Sequence, residues 1–181
     1  MTTRRPSVVG QPERGVTPRR PCVPWTIRSH GFGGSTRTPA VPALATCKAE
    51  IEALHAFFVE WYTGTTDDDA IARLEGALAP DFEMVTPDGT RLDRDSVLEN
   101  VRGSYERDEP GTFAIEIRNV EVIAQLEGHA LVRYEEWQDV DQETTGRVST
   151  ILFRDATAAP GGLEWVDLHE TWLEAGSDGD G

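Results

Sequence analysis

His169 stands in the run Leu163-Glu164-Trp165-Val166-Asp167-Leu168-His169-Glu170, and imidazole is the side chain whose ordinary titration falls near neutral pH. Read as a strand, the run puts Trp165, Asp167 and His169 on one face and Val166, Leu168 and Trp172 on the other. With the first face turned into a pocket, His169 is a general base or a ligand-orienting group. With that face turned out, Asp167 and His169 belong to the surface or to a dimer interface. Glu136, in Arg133-Tyr134-Glu135-Glu136-Trp137, is the second catalytic candidate. It extends the apolar face of Ala130, Val132 and Tyr134, and a carboxyl in that position is desolvated into a raised-pKa acid or base. The competing reading pairs Glu136 with Arg118 or Arg147 across a sheet. Glu135 shares the other face with Arg133 and Trp137 and reads as solvated.

Tyr62, near the end of a helix, is placed to point its hydroxyl into the same pocket. Trp61, Phe57, Phe58, Met84, Tyr105 and Tyr134 line that pocket or fill the core around it. His55 reads as a satisfied or surface residue, and His129 as a solvated residue at a strand start. There is no HExxH, zinc-ligand spacing, P-loop or GxGxxG, so neither metal nor cofactor is expected. Cys22 and Cys47 make no disulfide framework. A helix start at Cys47 would lower its thiol pKa somewhat, but no histidine accompanies it as a base.

The elements that must position these residues follow from periodicity. Ile51, Leu54, Phe58 and Trp61 or Tyr62 recur at helical spacing over Cys47 to Tyr62, with Thr63-Gly64 as the stop. Asp67 or Asp68 caps a second helix that buries Ile71, Leu74 and Leu78 and ends at Pro80. Phe82 to Val85 is a short strand, and Thr86-Pro87-Asp88-Gly89 is a turn. Asp93 caps a third helix carrying Val97, Leu98, Val101 and Tyr105. Four long stretches then alternate at period two: Phe113–Leu126 (bent or bulged near Asn119), His129–Val140, Thr145–Asp155 and Leu163–Ala175. The fold class is α+β, a curved, mostly antiparallel sheet wrapped around three N-terminal helices.

This order resembles the NTF2-like superfamily, the cystatin-like α+β cone, and within it the SnoaL-like and DUF4440 group. Phe82 to Gly89 looks like that group's first strand and Pro-x-Gly turn, Leu92 to Leu98 is similar to the capped helix that follows, and Leu163 to Glu170 to its closing strand. The resemblance covers residues 47–175. It implies an apolar cone whose relatives include ketosteroid isomerases, polyketide cyclases, dehydratases and epoxide hydrolases. It also implies homodimers formed through the outer sheet face. No relative's complete catalytic set maps onto this chain, and fold does not fix function.

Charge divides the chain. Residues 1–46 carry seven arginines against Glu13 alone, a net +6, whereas residues 47–181 carry ten basic residues against 31 acidic ones, a net −21. The domain repels phosphates, which excludes nucleic acid as a partner of its surface. Lys48 is the only lysine. Acid-rich, arginine-over-lysine usage is that of a GC-rich genome, either salt-adapted (halophile-like) or an ordinary mesophile. Residues 1–45, rich in proline and arginine and without period, read as a disordered basic extension, 46–175 as the domain, and 176–181 as a disordered acidic tail. No apolar run approaches the roughly 18 residues of a membrane span, and a reduced cytoplasmic setting is expected. These features lead to a small-molecule-binding cone, a cofactor-independent lyase, isomerase or hydrolase using His169 and Glu136. The alternative is a non-catalytic homodimeric association module with Trp137 and Trp172 on its face.

Overall fold

A computed structural model describes residues 41–173. The expectations for the basic extension up to residue 40, including Cys22, and for the acidic tail lie outside the described residues. Helix α1 runs Leu44–Tyr62, α2 Ile71–Ala77 after a 3-10 turn at Asp68–Ala70, and α3 Arg94–Arg102. The strands are β1 Leu78–Val85, β2 Arg91–Asp93, β3 Phe113–Leu126, β4 His129–Val140, β5 Glu143–Asp155 and β6 Leu163–Trp172. They form one curved, open sheet in the order β2-β1-β6-β5-β4-β3, with only β1 and β6 parallel. The α+β cone expected from the sequence is the architecture found.

Helix α1 lies across the concave face. Its Cys47, Ile51, Leu54 and Phe57 belong to one buried core with Ala130, Val132, Ile151, Phe153 and Trp165 of the sheet. The sheet alternates because one face is covered: Ala130, Val132, Tyr134 and Glu136 of β4 are buried, while Arg133 between them is exposed. Burial of these side chains is the main favourable contribution, of order 1.5–3 kcal/mol for each large one.

Local chemistry sets the element ends. Asp93 accepts a hydrogen bond from the Ser96 amide at 2.9 Å, the expected cap of α3. Helix α1 starts at Leu44 rather than at Cys47, because its N-cap is Ala43, which makes no side-chain cap and gives no start signal. Pro80 does not end α2. The helix stops at Ala77, and Pro80 sits within β1 where the ladder to β6 breaks between Leu78 and Glu83, so its missing N–H is not needed. The 86–89 turn closes with the Gly89 amide on the Thr86 carbonyl and leads into β2, a strand that periodicity does not predict. Asn119, at φ +52°, lies inside a register break of β3 between Arg118 and Glu121, the bulge expected there.

The bulge between β5 and β6 is decisive for the site. In the β5–β6 ladder Leu152 faces Asp167 and the next residue, Phe153, faces Trp165, so Val166 is the extra residue. Past it, the inward positions are Leu168 and Glu170, not Asp167 and His169.

The loop before β6 is tied to α1. Glu50, 2% exposed, accepts two hydrogen bonds from Arg73 Nη2 at 2.8 Å each and one from the Trp165 indole at 3.1 Å. Gly161, at φ +69°, packs its Cα directly over that carboxylate.

Candidate functional site

Helix α1 and the concave sheet face enclose a cavity of about 160 Å³. Leu54, Phe58, Leu74, Phe82, Met84 and Leu168 give it apolar walls, and one end is polar. That end gathers His55 from α1, Tyr134, Glu136 and Gln138 from β4, Arg147 from β5 and Glu170 from β6.

Glu136 is 4% exposed and fully bonded. Its Oε1 accepts from Arg147 Nη2 at 2.7 Å and from Gln138 Nε2 at 2.7 Å, and its Oε2 faces His55 Nε2 at 3.2 Å. Burial alone would push its carboxyl up, but the charge and hydrogen bond of His55, the charge of Arg147 and the amide of Gln138 outweigh burial and hold it down at about 2. The sequence predicts a raised-pKa group here; the structure corrects this to a firmly ionised one, because the expected cross-strand pairing with Arg147 is made in the same place. His55 is 5% exposed, the satisfied rather than the surface alternative, and its Nδ1 lies 2.7 Å from the Ile51 carbonyl. A carbonyl only accepts, and so does the ionised Glu136. A ring bonded to both donates from both nitrogens, as an imidazolium.

Glu170 is the contrasting carboxyl. It is 6% exposed, yet its contacts are long: Ser149 Oγ at 3.4 Å from Oε1 and Arg147 Nη1 at 3.5 Å from Oε2. Burial, seconded by the negative charge of Glu136, pushes it above the ordinary carboxyl range against Arg147, His55 and Ser149. Two carboxyls joined by one guanidinium are thereby driven apart, one kept ionised and one kept ready to carry a proton. Tyr134, 1% exposed and edge-on to His55 at 5.5 Å, has its hydroxyl pushed well up by burial and by both glutamates.

Tyr62 stacks on Phe58, with ring centroids 5.8 Å apart, and carries the Arg107 guanidinium 3.8 Å over its ring. Tyr62, Phe58, Met84, Tyr134 and Glu136 all line the cavity. Trp61 and Tyr105 do not. They pack on each other at 4.6 Å, with the Trp61 indole on the Val101 carbonyl and the Tyr105 hydroxyl on the Thr66 carbonyl. His169 is exposed on the outer face, a correction with a single cause, the extra residue at Val166. Trp172 is carried by the same shift to the inner face, its ring 5.9 Å from the Arg147 guanidinium and its indole on Asp88 at 3.0 Å. It therefore does not share a face with Trp137, which covers Gly146 and meets Arg118 at 5.0 Å. Cys47 is fully buried, and burial pushes its thiol up to about 11, opposite to the effect expected of a helix start.

Sequence reasoning does not single out Glu170 or Gln138, and it reads His55 as a satisfied or surface residue rather than as part of the site. His55 was detectable: it follows Ile51 by four residues and Leu54 by one, inside the apolar stripe of α1. Glu170 was not, because its face depends on the bulge.

Residues 48–174 match the model of the family described as sucrose-6-phosphate phosphohydrolase C-terminal. A curated relative, sucrose-phosphatase 1 of Nicotiana tabacum, is 23% identical over 173 residues. The match takes in 88% of this chain but 40% of the tobacco protein, so the chain spans well under half of its relative's length. Among solved structures, an NTF2-like protein of unknown function from Pseudomonas aeruginosa aligns with a TM-score of 0.65 at 29% identity, covering 71% of this chain and 98% of that one. A cystatin-like protein from Caulobacter vibrioides aligns at 0.55 and 15% identity, covering 72% and 89%. The S. rosetta CaMKII hub aligns at 0.50 and 16%, covering 75% and 99%. The fold is thus the NTF2-like, cystatin-like one. The matching family model bears a description other than that of the SnoaL-like group.

Proposed function

Since the chain belongs to the sucrose-6-phosphate phosphohydrolase C-terminal family, we propose that its NTF2-like domain is a small-molecule site in which Glu170 is the acid/base group, without a cofactor. The observation that carries this reading is the loosely held, buried carboxyl of Glu170 at the end of an apolar cavity. Glu136 and His55 act as positioning residues: they fix Arg147, which in turn sets the charge around Glu170. The chemistry supported is proton transfer to or from a bound organic molecule, the step shared by isomerases, lyases and hydrolases. The SnoaL-like and DUF4440 likeness of residues 82–98 fits the same reading.

Size limits the ligand. Pockets for drug-sized ligands measure roughly 300–1,000 Å³, whereas an apolar cavity of about 150 Å³ takes a benzene ring. A single ring fits the cone; a disaccharide does not. Ring-sized neutral probes such as cyclohexanone and benzyl alcohol are expected to shift the NMR signals of the Met84 methyl and the Trp165 indole, and Leu74→Trp to abolish those shifts by filling the cone. If no probe moves either signal in the wild-type protein, the reading is lost.

A second reading, the homodimeric module, draws on the outer sheet face. Trp137, Leu131, Val148 and Leu152 are only half-buried there. Trp137→Glu is expected to turn a dimer into a monomer in light scattering, and a mass unchanged by the substitution removes this face as the interface.

A further inference from the structure

We infer that the ligand preferred by the cone is a small monocarboxylate, held between Arg147 and Glu170 and taken up together with one proton. This rests on the reading of the cone as a small-molecule site and adds the chemical class of its ligand.

The groups facing the polar end come from every element around it. They are His55 and Tyr62 from α1, Tyr134, Glu136 and Gln138 from β4, Arg147 and Ser149 from β5, and Glu170 itself from β6. β1 and α3 contribute only apolar side chains, Phe82, Met84, Val97 and Val101. Among these groups Arg147 and His55 are cationic, and Glu136 is anionic and saturated by three hydrogen bonds. With Glu170 protonated, the buried cluster carries one net positive charge, which a low-dielectric site leaves uncompensated. With Glu170 ionised, the cluster is neutral, but a carboxyl whose contacts lie at 3.4 and 3.5 Å then stands under-bonded in a buried place.

A ligand carboxylate resolves both situations. It supplies the missing negative charge, accepts from the free directions of the Arg147 fork, and accepts the hydroxyl proton of a protonated Glu170. Its organic body occupies the apolar walls. No bond of the ligand changes: the anion enters, and where Glu170 was ionised one proton from solvent forms the O–H bond of its carboxyl. A cationic ligand meets Arg147 and His55 and is disfavoured. A neutral alcohol gains the walls but leaves the charge unanswered.

The test uses the full chain and three probes of one shape, benzoate, benzyl alcohol and benzylamine, titrated calorimetrically at several pH values between 5 and 8. Benzoate is expected to bind at least tenfold tighter than benzyl alcohol at the acid end, with benzylamine weakest. Its affinity is expected to fall about tenfold per pH unit once Glu170 ionises, one proton per ligand. Repeating the titration in buffers of different ionisation enthalpy should read that proton directly. Glu170→Gln, which keeps a donor and the shape, should bind benzoate with a flat pH profile and no proton uptake. Benzyl alcohol bound as tightly as benzoate, or a pH-independent benzoate affinity in the wild type, overturns the inference and leaves the cone reading standing. Failure of all three probes overturns both.

Discussion

Glu136→Ala is expected to cost about 3–5 kcal/mol of folding stability, the cost of breaking one side of a buried ion pair. The magnitude follows from what is left behind. Arg147, 17% exposed, loses its 2.7 Å partner and keeps only the 3.5 Å contact to Glu170, while His55 Nε2 and the Gln138 amide lose their acceptor. Denaturant melts of wild type and variant measure the difference; a loss below about 1 kcal/mol would show that the cluster is not held as described. The pH dependence carries its own signature. The Glu136 carboxyl lies at about 2 in the fold against an ordinary 4.5, so its contribution, about 3 kcal/mol, is complete above pH 4.5 and lost as pH falls toward 2. Glu170 and Glu50 are raised, burial being the first cause for both, and act in the opposite sense. Their protonated forms suit the fold, so stability declines as pH rises above 4.5 through their folded values. The acidic domain's self-repulsion adds to that decline. Wild-type stability is therefore expected to peak near pH 4–5. Glu136→Ala should flatten the acid limb and Glu170→Gln should soften the alkaline one.

Gly161→Ala is the second large effect, expected at about 3 kcal/mol or more, with Gly162→Ala at about 1 kcal/mol as its control. Both glycines have positive φ, +69° and +77°, where an L side chain costs roughly 1–2 kcal/mol. Only Gly161 adds a collision. A Cβ there would lie 2.1 Å from Glu50 Oε2, whereas nothing lies within 4 Å of one at Gly162. The Glu50 carboxylate cannot swing aside cheaply, because Arg73 and the Trp165 indole pin it in a buried site. For a domain of this size, 3 kcal/mol corresponds to a fall of roughly 6–12 °C in melting temperature. Equal shifts for the two variants would mean that backbone strain alone operates and that Glu50 is free to move.

How far the fold was legible depended on whether its signal was local. The bounds of β3 and β4 follow from alternation and from the glycine turn at 127–128, and both strands lie where periodicity predicts them. The turn before β5 is tighter than predicted because Asp141 and Gln142 both adopt positive φ, +51° and +74°. A two-residue turn of that kind usually announces itself with Asn-Gly or Asp-Gly, and Asp-Gln gives no such notice. The cavity wall was largely readable from hydrophobic spacing, as Phe58, Tyr62, Met84 and Tyr134 show. The chemistry was only half readable. Glu136 was placed by strand parity, but the sign of its pKa shift was set by His55 on another element 81 residues away. His169 was lost to a bulge that no residue type in Val166-Asp167 betrays.

That bulge has a consequence beyond the misplaced histidine. Downstream of Val166, which side chain enters the cavity is decided by strand length, not by residue identity, much as a frame decides how a text is read. One reading of Asp167-Leu168-His169-Glu170 presents Asp167 and His169 to the cone, and the other presents Leu168 and Glu170. The chain therefore holds the residues for two different interiors in one strand, and a single backbone residue selects between them. Gain or loss of one residue at this point between related domains would exchange the ionisable group of the interior while leaving every residue after it unchanged.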